Sequence, residues 1–137
     1  DGVNKVLNKK SGFLGVSGVS SDGRDISKAA SEGNYRAALS KEMFYHSVRK
    51  YIGAYSAVMG GLDLVIFTGG IGENDDVARE NMCSTLGYLG VDFNKEINRT
   101  IHGDDAILTN PGSKVVVAAI ATNEELVIAT DTMNLVK

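Results

Sequence analysis

The sequence predicts an α/β fold, in which helices alternate with the strands of a largely parallel sheet. Three observations support this class. A long amphipathic helical pattern leads into a short and almost continuously apolar run, Leu62–Phe67. That run ends in a cluster of glycines, after which a second helical pattern begins. Two further strand-like segments and a last helical pattern follow, so the chain alternates between the two kinds of element.

The bulk composition is that of a globular domain. The chain has 137 residues, of which 43% are hydrophobic and 23% charged, enough for one domain with a core. A net charge of −3 gives no electrostatic reason to expect binding to nucleic acid or to an anionic membrane surface. No apolar run approaches the roughly 20 residues that cross a bilayer. We therefore expect neither nucleic acid nor membrane as a partner.

The cysteine content suggests a cellular location for the chain, and its first residues suggest that it is part of a longer polypeptide. The single cysteine, Cys83, lies in a helical pattern, so we expect a buried structural thiol and a cytoplasmic, reducing location. The chain opens with Asp1 and has neither an initiator methionine nor a targeting segment. We expect it to be a piece of a longer polypeptide.

The first part of the chain predicts helices around a glycine-rich segment. Residues 3–8 favour a short helix, and the many glycines of Phe13–Val19 favour a short extended segment. Residues 34–59 predict a long helix that ends at Gly60 and Gly61, because apolar side chains recur at spacings of three and four. The stripe they form, which we interpret as core packing, consists of Phe44, Val48, Tyr51, Ile52, Tyr55 and Val58.

The segment Leu62–Asn74 is the most informative part of the chain. Its apolar run predicts a strand buried on both faces, its glycines a turn, and the residues from Asn74 onward a helix. Glycines let the backbone approach a ligand and adopt positive φ, and a helix start offers free N–H groups to a phosphate. A tight turn that binds nothing is equally compatible with this segment alone.

Neither of two familiar nucleotide motifs describes these glycines. A P-loop requires Lys-Ser or Lys-Thr directly after them, and neither pair is present. The Rossmann pattern fits Gly70 and Gly72, but its third small position falls on Asp75. We therefore interpret the segment as a nucleotide contact of another kind.

The remainder of the chain predicts two further helices and two strands. In order, the pattern gives a helix over 75–89, an extended piece over 91–93, an irregular segment over 94–105, strands over 106–109 and 115–120, and a helix over 123–135. Asn74 or Asp75 is expected to cap the first helix. Thr122 and Glu125 fit a capping box at the start of the last helix, which leaves Glu124 without a local role.

The two strand-to-helix turns, residues 69–74 and 121–124, are predicted to face the same side of one sheet. Ligands of open α/β sheets gather at the carboxyl ends of the strands. A glycine turn together with the Glu124 carboxylate suits a phosphate with an associated Mg²⁺, because a carboxylate can hold the ion directly or through its waters.

Four motifs taken together resemble the acetate kinases in order and spacing. They are SGFLGVSG at 11–18, SSDGRD at 20–25, FTGGIGEN at 67–74 and TNEEL at 122–126. The resemblance runs essentially from end to end. The propionate kinases share the same motifs, so the resemblance does not separate the two activities.

The resemblance implies a place in the superfamily of sugar kinases, Hsp70 and actin, whose fold is two ribonuclease H-like α/β domains around a nucleotide cleft. Residues 1–137 would then form most of the C-terminal nucleotide-binding domain of a longer two-domain kinase. It also implies ATP or ADP and a short-chain carboxylate as substrates, Mg²⁺ as cofactor, and a homodimer. A stand-alone nucleotide-binding module, or a structural domain that only keeps the fold, is the alternative.

The same resemblance assigns site residues. Asp22, Gly23 and Arg24 would border the adenosine, and Glu124 would be associated with Mg²⁺. The residues expected along the nucleotide are Gly70, Ile71, Gly72, Glu73 and Asn74. The family often carries a bulky apolar residue at the position of Gly23, where it can pack on the adenine, and glycine cannot do so.

No catalytic residue is assigned to this chain. In the family, the carboxylate pocket and the groups that stabilise the transferring phosphoryl group belong to earlier sequence. We therefore expect this chain by itself to be inactive.

Overall fold

The structure, a computed structural model, describes residues 2–136 apart from the side chain of Glu124. The chain divides into two compact units, Asp1–Gly60 and Gly61–Lys137. Over the described residues the first unit is helical, whereas the second combines helices with a sheet. The predicted α/β class is confirmed, and the alternation of helix and strand belongs to the second unit.

The first unit is built on one long helix. Its elements are α1 (Gly2–Lys9), α2 (Gly12–Ser17), α3 (Gly23–Ser31) and α4 (Tyr35–Met59). The predicted long helix is confirmed as α4, since the Asn34 side chain accepts from the Ala37 N–H and Gly60 closes the helix at φ 75°. Phe13 on α2 meets Phe44 on α4 edge to face, with ring centroids 5.4 Å apart.

The extended segment predicted for Phe13–Val19 is wrong, because most of it belongs to α2. Gly12 and Gly18 adopt φ values of 62° and 69°, so they lie at the two ends of this helix and do not interrupt it. Gly15 lies inside it, where a Cβ would come within 2.9 Å of the Lys10 carbonyl oxygen. The glycines thus delimit a tightly packed short helix.

The apolar stripe of α4 is not the core that its spacing predicts. Tyr51, Tyr55 and Val58 are 54%, 60% and 85% exposed. The buried residues of α4 are Ala37, Ser40, Tyr45 and Ser56. The helices α2 and α3 that pack on α4 have 6 and 9 residues against its 25, so at about 1.5 Å per residue they cannot cover its whole length.

The second unit is an α/β layer. Its elements are β1 (Leu64–Phe67), α5 (Gly69–Asn74), α6 (Asp76–Cys83), a 3₁₀ helix (Leu86–Leu89), α7 (Lys95–Thr100), β2 (Ala106–Ile107), β3 (Val116–Ala119) and α8 (Glu124–Leu135). Within the described residues the sheet has three strands in the order β1-β3-β2. Strand β3 runs parallel to β1, with Leu64 opposite Val116, and antiparallel to β2. The two predicted late strands and the last helix are therefore confirmed.

The prediction that the first strand is buried on both faces is wrong. Strand β1 lies at an edge of the described sheet, where Leu64 and Ile66 are 47% and 53% exposed and Phe67 is buried. The core of this unit lies instead around β3, where Val115, Val117 and Ala119 are almost completely buried. The apolar run therefore predicted where the strand lies in the sequence but not how far it is buried.

Two segments predicted without regular structure are helical. The glycines form the short helix α5 themselves, and α6 starts only after Asp75, whose carboxylate accepts from the Ala78 N–H at 2.8 Å. The segment 94–105, predicted as irregular, contains α7, which begins where the Asn94 side chain accepts from the Ile97 N–H at 2.9 Å. Asp75 was one of the two residues predicted to cap α6, and a side chain likewise caps α7.

Over the part of the chain that the structure describes, no helix has the length and apolar character that a membrane crossing requires.

Candidate functional site

The carboxyl ends of β1 and β3 lie side by side in the second unit. Because the two strands are parallel, the helix α5 that follows β1 and the segment that follows β3 leave the same edge of the sheet. We call residues 120–123 the β3–α8 junction. The Ile120 N–H at its start donates to the Phe67 carbonyl at 2.9 Å. The predicted meeting of the two strand-to-helix turns is confirmed.

Glu73 connects these two segments. Its Oε1 accepts from the Gly69 N–H at 2.8 Å, from the Thr122 N–H at 2.9 Å and from the Thr122 hydroxyl at 2.8 Å. These hydrogen bonds lower the pKa of Glu73, chiefly through the Thr122 N–H, then the Thr122 hydroxyl and the Gly69 N–H. The carboxylate is therefore ionised at neutral pH and ties α5 to the β3–α8 junction.

The predicted capping box at α8 is wrong. The Thr122 hydroxyl donates to Glu73, and the side chain of Asn123 takes the cap by accepting from the Leu126 N–H at 2.9 Å. The cap thus lies one residue later than predicted, at a residue type that caps as well as threonine does. Glu125 becomes a residue of the first turn without a capping role.

The predicted metal residue falls outside the described side chains. Glu124 is the first residue of α8, but the structure does not describe its side chain. Among the described residues, no group of three or more His, Cys, Asp or Glu side chains could hold a metal ion. The association of Glu124 with Mg²⁺ stays a prediction.

The glycines of α5 have different structural reasons. Positive φ was predicted for this segment, and it occurs at Gly69, with φ 68°, but at neither Gly70 nor Gly72. A Cβ at the buried Gly72 would lie 2.9 Å from the carbonyl carbon of Phe67, so close packing on β1 explains that glycine. A Cβ at Gly70 would meet nothing within 4 Å. Within α5, therefore, neither a positive φ nor close packing explains why residue 70 is a glycine.

Two neighbours of Gly70 were also predicted to lie along a nucleotide. Ile71 is 38% exposed, and the Asn74 side-chain amide donates to the Gly70 carbonyl at 3.2 Å on the exposed side of the helix. The structure thus places Gly70, Ile71 and Asn74 together at the surface of α5. Gly72 and the Glu73 carboxylate are engaged within the protein.

Arg79 is a buried residue that contacts α5 and that the sequence reasoning missed. The guanidinium of Arg79 donates to the Asn98 Oδ1 at 2.7 Å, to the Asn98 carbonyl at 3.1 Å, to the Gly72 carbonyl at 2.9 Å and to the Ile101 carbonyl at 2.7 Å. Desolvation lowers the pKa of Arg79, and the charge of Asp76 opposes that effect. Arg79 therefore fixes α5 to α7 and to the segment that follows α7.

One sequence signal could have located this arginine. Arg79 stands three and four positions before Met82 and Cys83, on the buried face of α6. A charged residue within an apolar helical face requires internal hydrogen-bond partners. Asn98 supplies two of them, and its own amide donates to the Asp76 carbonyl at 2.8 Å.

The segment after α7 forms a further side of the site. The Gly103 N–H donates to the Glu73 carbonyl at 3.1 Å, and the His102 Nδ1 lies 3.2 Å from the Asn74 carbonyl oxygen. Asp105 accepts from the Ala121 N–H at 2.7 Å. This segment was predicted as irregular, and its polar groups connect α5 with the β3–α8 junction.

The other predicted site residues lie in the first unit. Asp22 caps α3 by accepting from the Arg24 N–H at 2.8 Å, and it pairs with the Arg24 guanidinium at 2.7 Å. These contacts, led by the side-chain bond to Arg24, lower the pKa of Asp22 to about 2. A Cβ at Gly23 would lie 3.8 Å from the Phe13 ring, an ordinary contact, so the position has room for a side chain.

Cys83 has the structural role that was predicted. It is 3% exposed, and burial raises the pKa of its thiol to about 12. A thiol in this state is not a nucleophile at neutral pH.

Comparison with known proteins identifies relatives for this chain. The family model described as the acetokinase family matches residues 1–130. The chain is 53% identical to the acetate kinase of Clostridium novyi over 137 residues, and 47% identical to that of Bacteroides thetaiotaomicron over 136 residues. The two matches cover 100% and 99% of this chain, respectively, and 34% of each relative. The chain thus spans about a third of the length of these curated relatives.

Solved structures agree with the sequence relatives. The crystal structure of Porphyromonas gingivalis acetate kinase superposes with a TM-score of 0.90 at 46% identity, covering 99% of this chain and 34% of that one. A propionate kinase from Francisella tularensis superposes with a TM-score of 0.81 at 38% identity, covering 93% of this chain and 32% of that one.

Proposed function

The chain belongs to the acetokinase family, and on that premise we propose that it forms most of the C-terminal, nucleotide-binding domain of an acetate kinase. The reaction would transfer the terminal phosphoryl group of ATP to a carboxylate oxygen of acetate, giving ADP and acetyl phosphate reversibly. The domain would be one of two ribonuclease H-like domains of the kind shared by actin, Hsp70 and sugar kinases. The similarity to solved acetate and propionate kinases supports that fold.

One observation of the structure carries the proposal. Helix α5 leaves the carboxyl edge of the parallel strands with Gly70 open to approach, while Gly72 and Arg79 hold the helix against the protein. Ligands of α/β sheets bind at this edge. We assign Gly70, Ile71 and Asn74 to the surface that faces the nucleotide.

For the first unit by itself, we propose that Asp22, Gly23 and Arg24 contact the adenosine of a bound nucleotide. The Arg24 side chain is 92% exposed and is held in place by Asp22, so a cation is presented to solvent at the start of α3. A side chain at Gly23 would have room to reach a bound base.

The chemistry of the reaction limits what this chain can do by itself. Phosphoryl transfer depends on positioning the reactants and on stabilising charge around the transferring group. To the described side chains we assign a nucleotide surface but no group that directly stabilises the charge of the transferring phosphoryl group. We propose that the chain holds ATP or ADP and forms no acetyl phosphate by itself.

Mg²⁺ is the cofactor we propose for the full reaction. The ion takes oxygen ligands and keeps several waters and substrate phosphate oxygens, so a single protein carboxylate meets its needs. Glu124 would be that carboxylate, since it begins α8 directly after the β3–α8 junction. When bound, the ion would offset charge on the phosphate oxygens.

Propionate is the second candidate acceptor. The structural similarity to a propionate kinase favours testing it beside acetate. We also propose a homodimer in the cytoplasm for the full-length kinase, consistent with the exposed aromatic residues Tyr51 and Tyr55 of α4.

The test uses the polypeptide of full family length that contains this chain. Purified protein with Mg·ATP and acetate should yield acetyl phosphate, trapped as hydroxamate, at a higher kcat/KM than with propionate. A higher kcat/KM for propionate would replace the substrate assignment. No acyl phosphate from either acid would overturn the proposed function.

A further inference from the structure

We propose that Glu73 is a positioning residue that joins the nucleotide helix α5 to the β3–α8 junction and does not itself contact the nucleotide. The inference rests on the proposed function only for its nucleotide readout. It reassigns Glu73, which sequence resemblance placed along the nucleotide.

The geometry of the carboxylate supports a joining role. Glu73 Oε1 receives three hydrogen bonds, one from Gly69 in its own helix and two from Thr122, which is 49 residues away in sequence. A carboxylate oxygen has about two lone-pair sites, so three donors saturate Oε1. The carbonyl of the same residue accepts from Gly103, so Glu73 connects three separate segments of the chain.

The charge of Glu73 argues against a role as a phosphate ligand. A carboxylate placed against a polyphosphate is repelled, whereas the same carboxylate can organise N–H and O–H groups that neither strand nor helix satisfies. The Thr122 N–H belongs to the β3–α8 junction, beyond the end of β3 and before the start of α8. Glu73 supplies its partner.

A second carboxylate, that of Asp105, accepts a hydrogen bond from the same junction. Asp105 accepts from the Ala121 N–H at 2.7 Å, and Glu73 accepts from the next N–H along, that of Thr122. Two successive main-chain donors are thus held by carboxylates from different segments. The path from β3 into α8 is therefore fixed relative to α5, and loss of Glu73 would remove the hydrogen bonds that tie Thr122 to α5.

The functional test compares variants in the full-length kinase. Glu73→Ala should raise the KM for ATP roughly tenfold, the scale of one charge-assisted hydrogen bond, and change the KM for acetate less than twofold. Thr122→Val should also raise the KM for ATP. Thr122→Ser should leave that KM near the wild-type value because serine keeps the hydroxyl. Glu96→Gln, which changes an exposed carboxylate of the same unit, is the control and should change neither.

The double variant distinguishes positioning from direct contact. If Glu73 acts through Thr122, adding Thr122→Val to Glu73→Ala should raise the ATP KM no further. Additive effects, or a Thr122→Val enzyme with normal ATP KM, would overturn the proposal. A Glu73→Ala enzyme with lowered thermal stability but unchanged ATP KM would reduce Glu73 to a stability role and overturn it equally.

A spectroscopic readout separates this inference from the proposed function. With glycine and threonine selectively labelled with ¹⁵N, the Gly69 and Thr122 amide shifts should titrate together with a midpoint below the ordinary pKa of glutamate. The hydrogen bonds that Glu73 accepts from Gly69 and Thr122, which we call the joint, are complete above the ordinary pKa of glutamate. They are lost as the pH falls through the lowered pKa of Glu73. Glu73→Gln should abolish both titrations.

The two readouts fail independently. Amides that do not titrate together would disprove the joint, whatever happens to ATP. A normal titration in a protein that fails to use ATP would disprove the proposed function and leave the joint in place.

Discussion

One methyl group added at Gly72 should weaken the packing of α5 on β1. In Gly72→Ala the new Cβ would lie 2.9 Å from the carbonyl carbon of Phe67 and 3.3 Å from its Cα, whereas carbon atoms pack best at about 3.5–4.0 Å. Both are main-chain atoms of β1 and cannot rotate away, so α5 or β1 must shift. Overpacking of this kind costs about 1–3 kcal/mol.

Gly70→Ala is the matched control within the same helix. Its Cβ would meet nothing within 4 Å, and neither Gly70 nor Gly72 has a positive φ. Both variants gain the same helix-propensity benefit of about 0.5–1 kcal/mol, which cancels in the comparison. The free energy of unfolding should therefore differ between them by about 1–3 kcal/mol.

Urea unfolding followed by circular dichroism measures this difference. With an m value of about 2 kcal/mol/M, the midpoint of Gly72→Ala should lie about 0.5–1.5 M below that of Gly70→Ala. Equal midpoints would show that α5 does not pack on β1 as described.

Three further predictions concern other parts of the chain. At pH 8 the Cys83 thiol, with its pKa raised to about 12, should react with a disulfide reagent on the order of a thousandfold more slowly in the folded than in the unfolded chain; equal rates would contradict its burial. Arg79→Met should lower the free energy of unfolding by about 2–5 kcal/mol, because several partners including Asn98 lose their donor, and a wild-type urea midpoint would refute this. Gly23→Met should lower the KM for ATP in the full-length kinase, since there is room beside Phe13 for a side chain to reach the base; an unchanged KM would argue against the adenosine assignment.

Elements with clear local end signals could be predicted from the sequence. Helix α4 has Asn34 as its cap and Gly60 as its stop, and both lie where the periodicity places them. The short helices α2 and α7 were missed because 6 residues hold too few apolar positions to show a period. Their existence depends on caps and on packing that a pattern does not reveal.

Burial was harder to predict than element type. Periodicity shows which residues share a face but not what covers that face, so Ile66 and Tyr55 were expected inside and are more than half exposed. The meeting of α5 with the β3–α8 junction was predictable, since parallel strands end at one edge. The hydrogen bond that Thr122 donates to Glu73 was not predictable, because it joins residues 49 positions apart that no local pattern connects.

The most direct test of the central claim is the kinetics of Gly70→Ala in the full-length kinase. If α5 presents Gly70 to the nucleotide, a methyl group there should raise the KM for ATP several-fold and leave the KM for acetate unchanged, while the urea midpoint of the same variant is not lowered. An unchanged KM for ATP, or an equal rise for both substrates, would contradict the assignment of α5 to the nucleotide site.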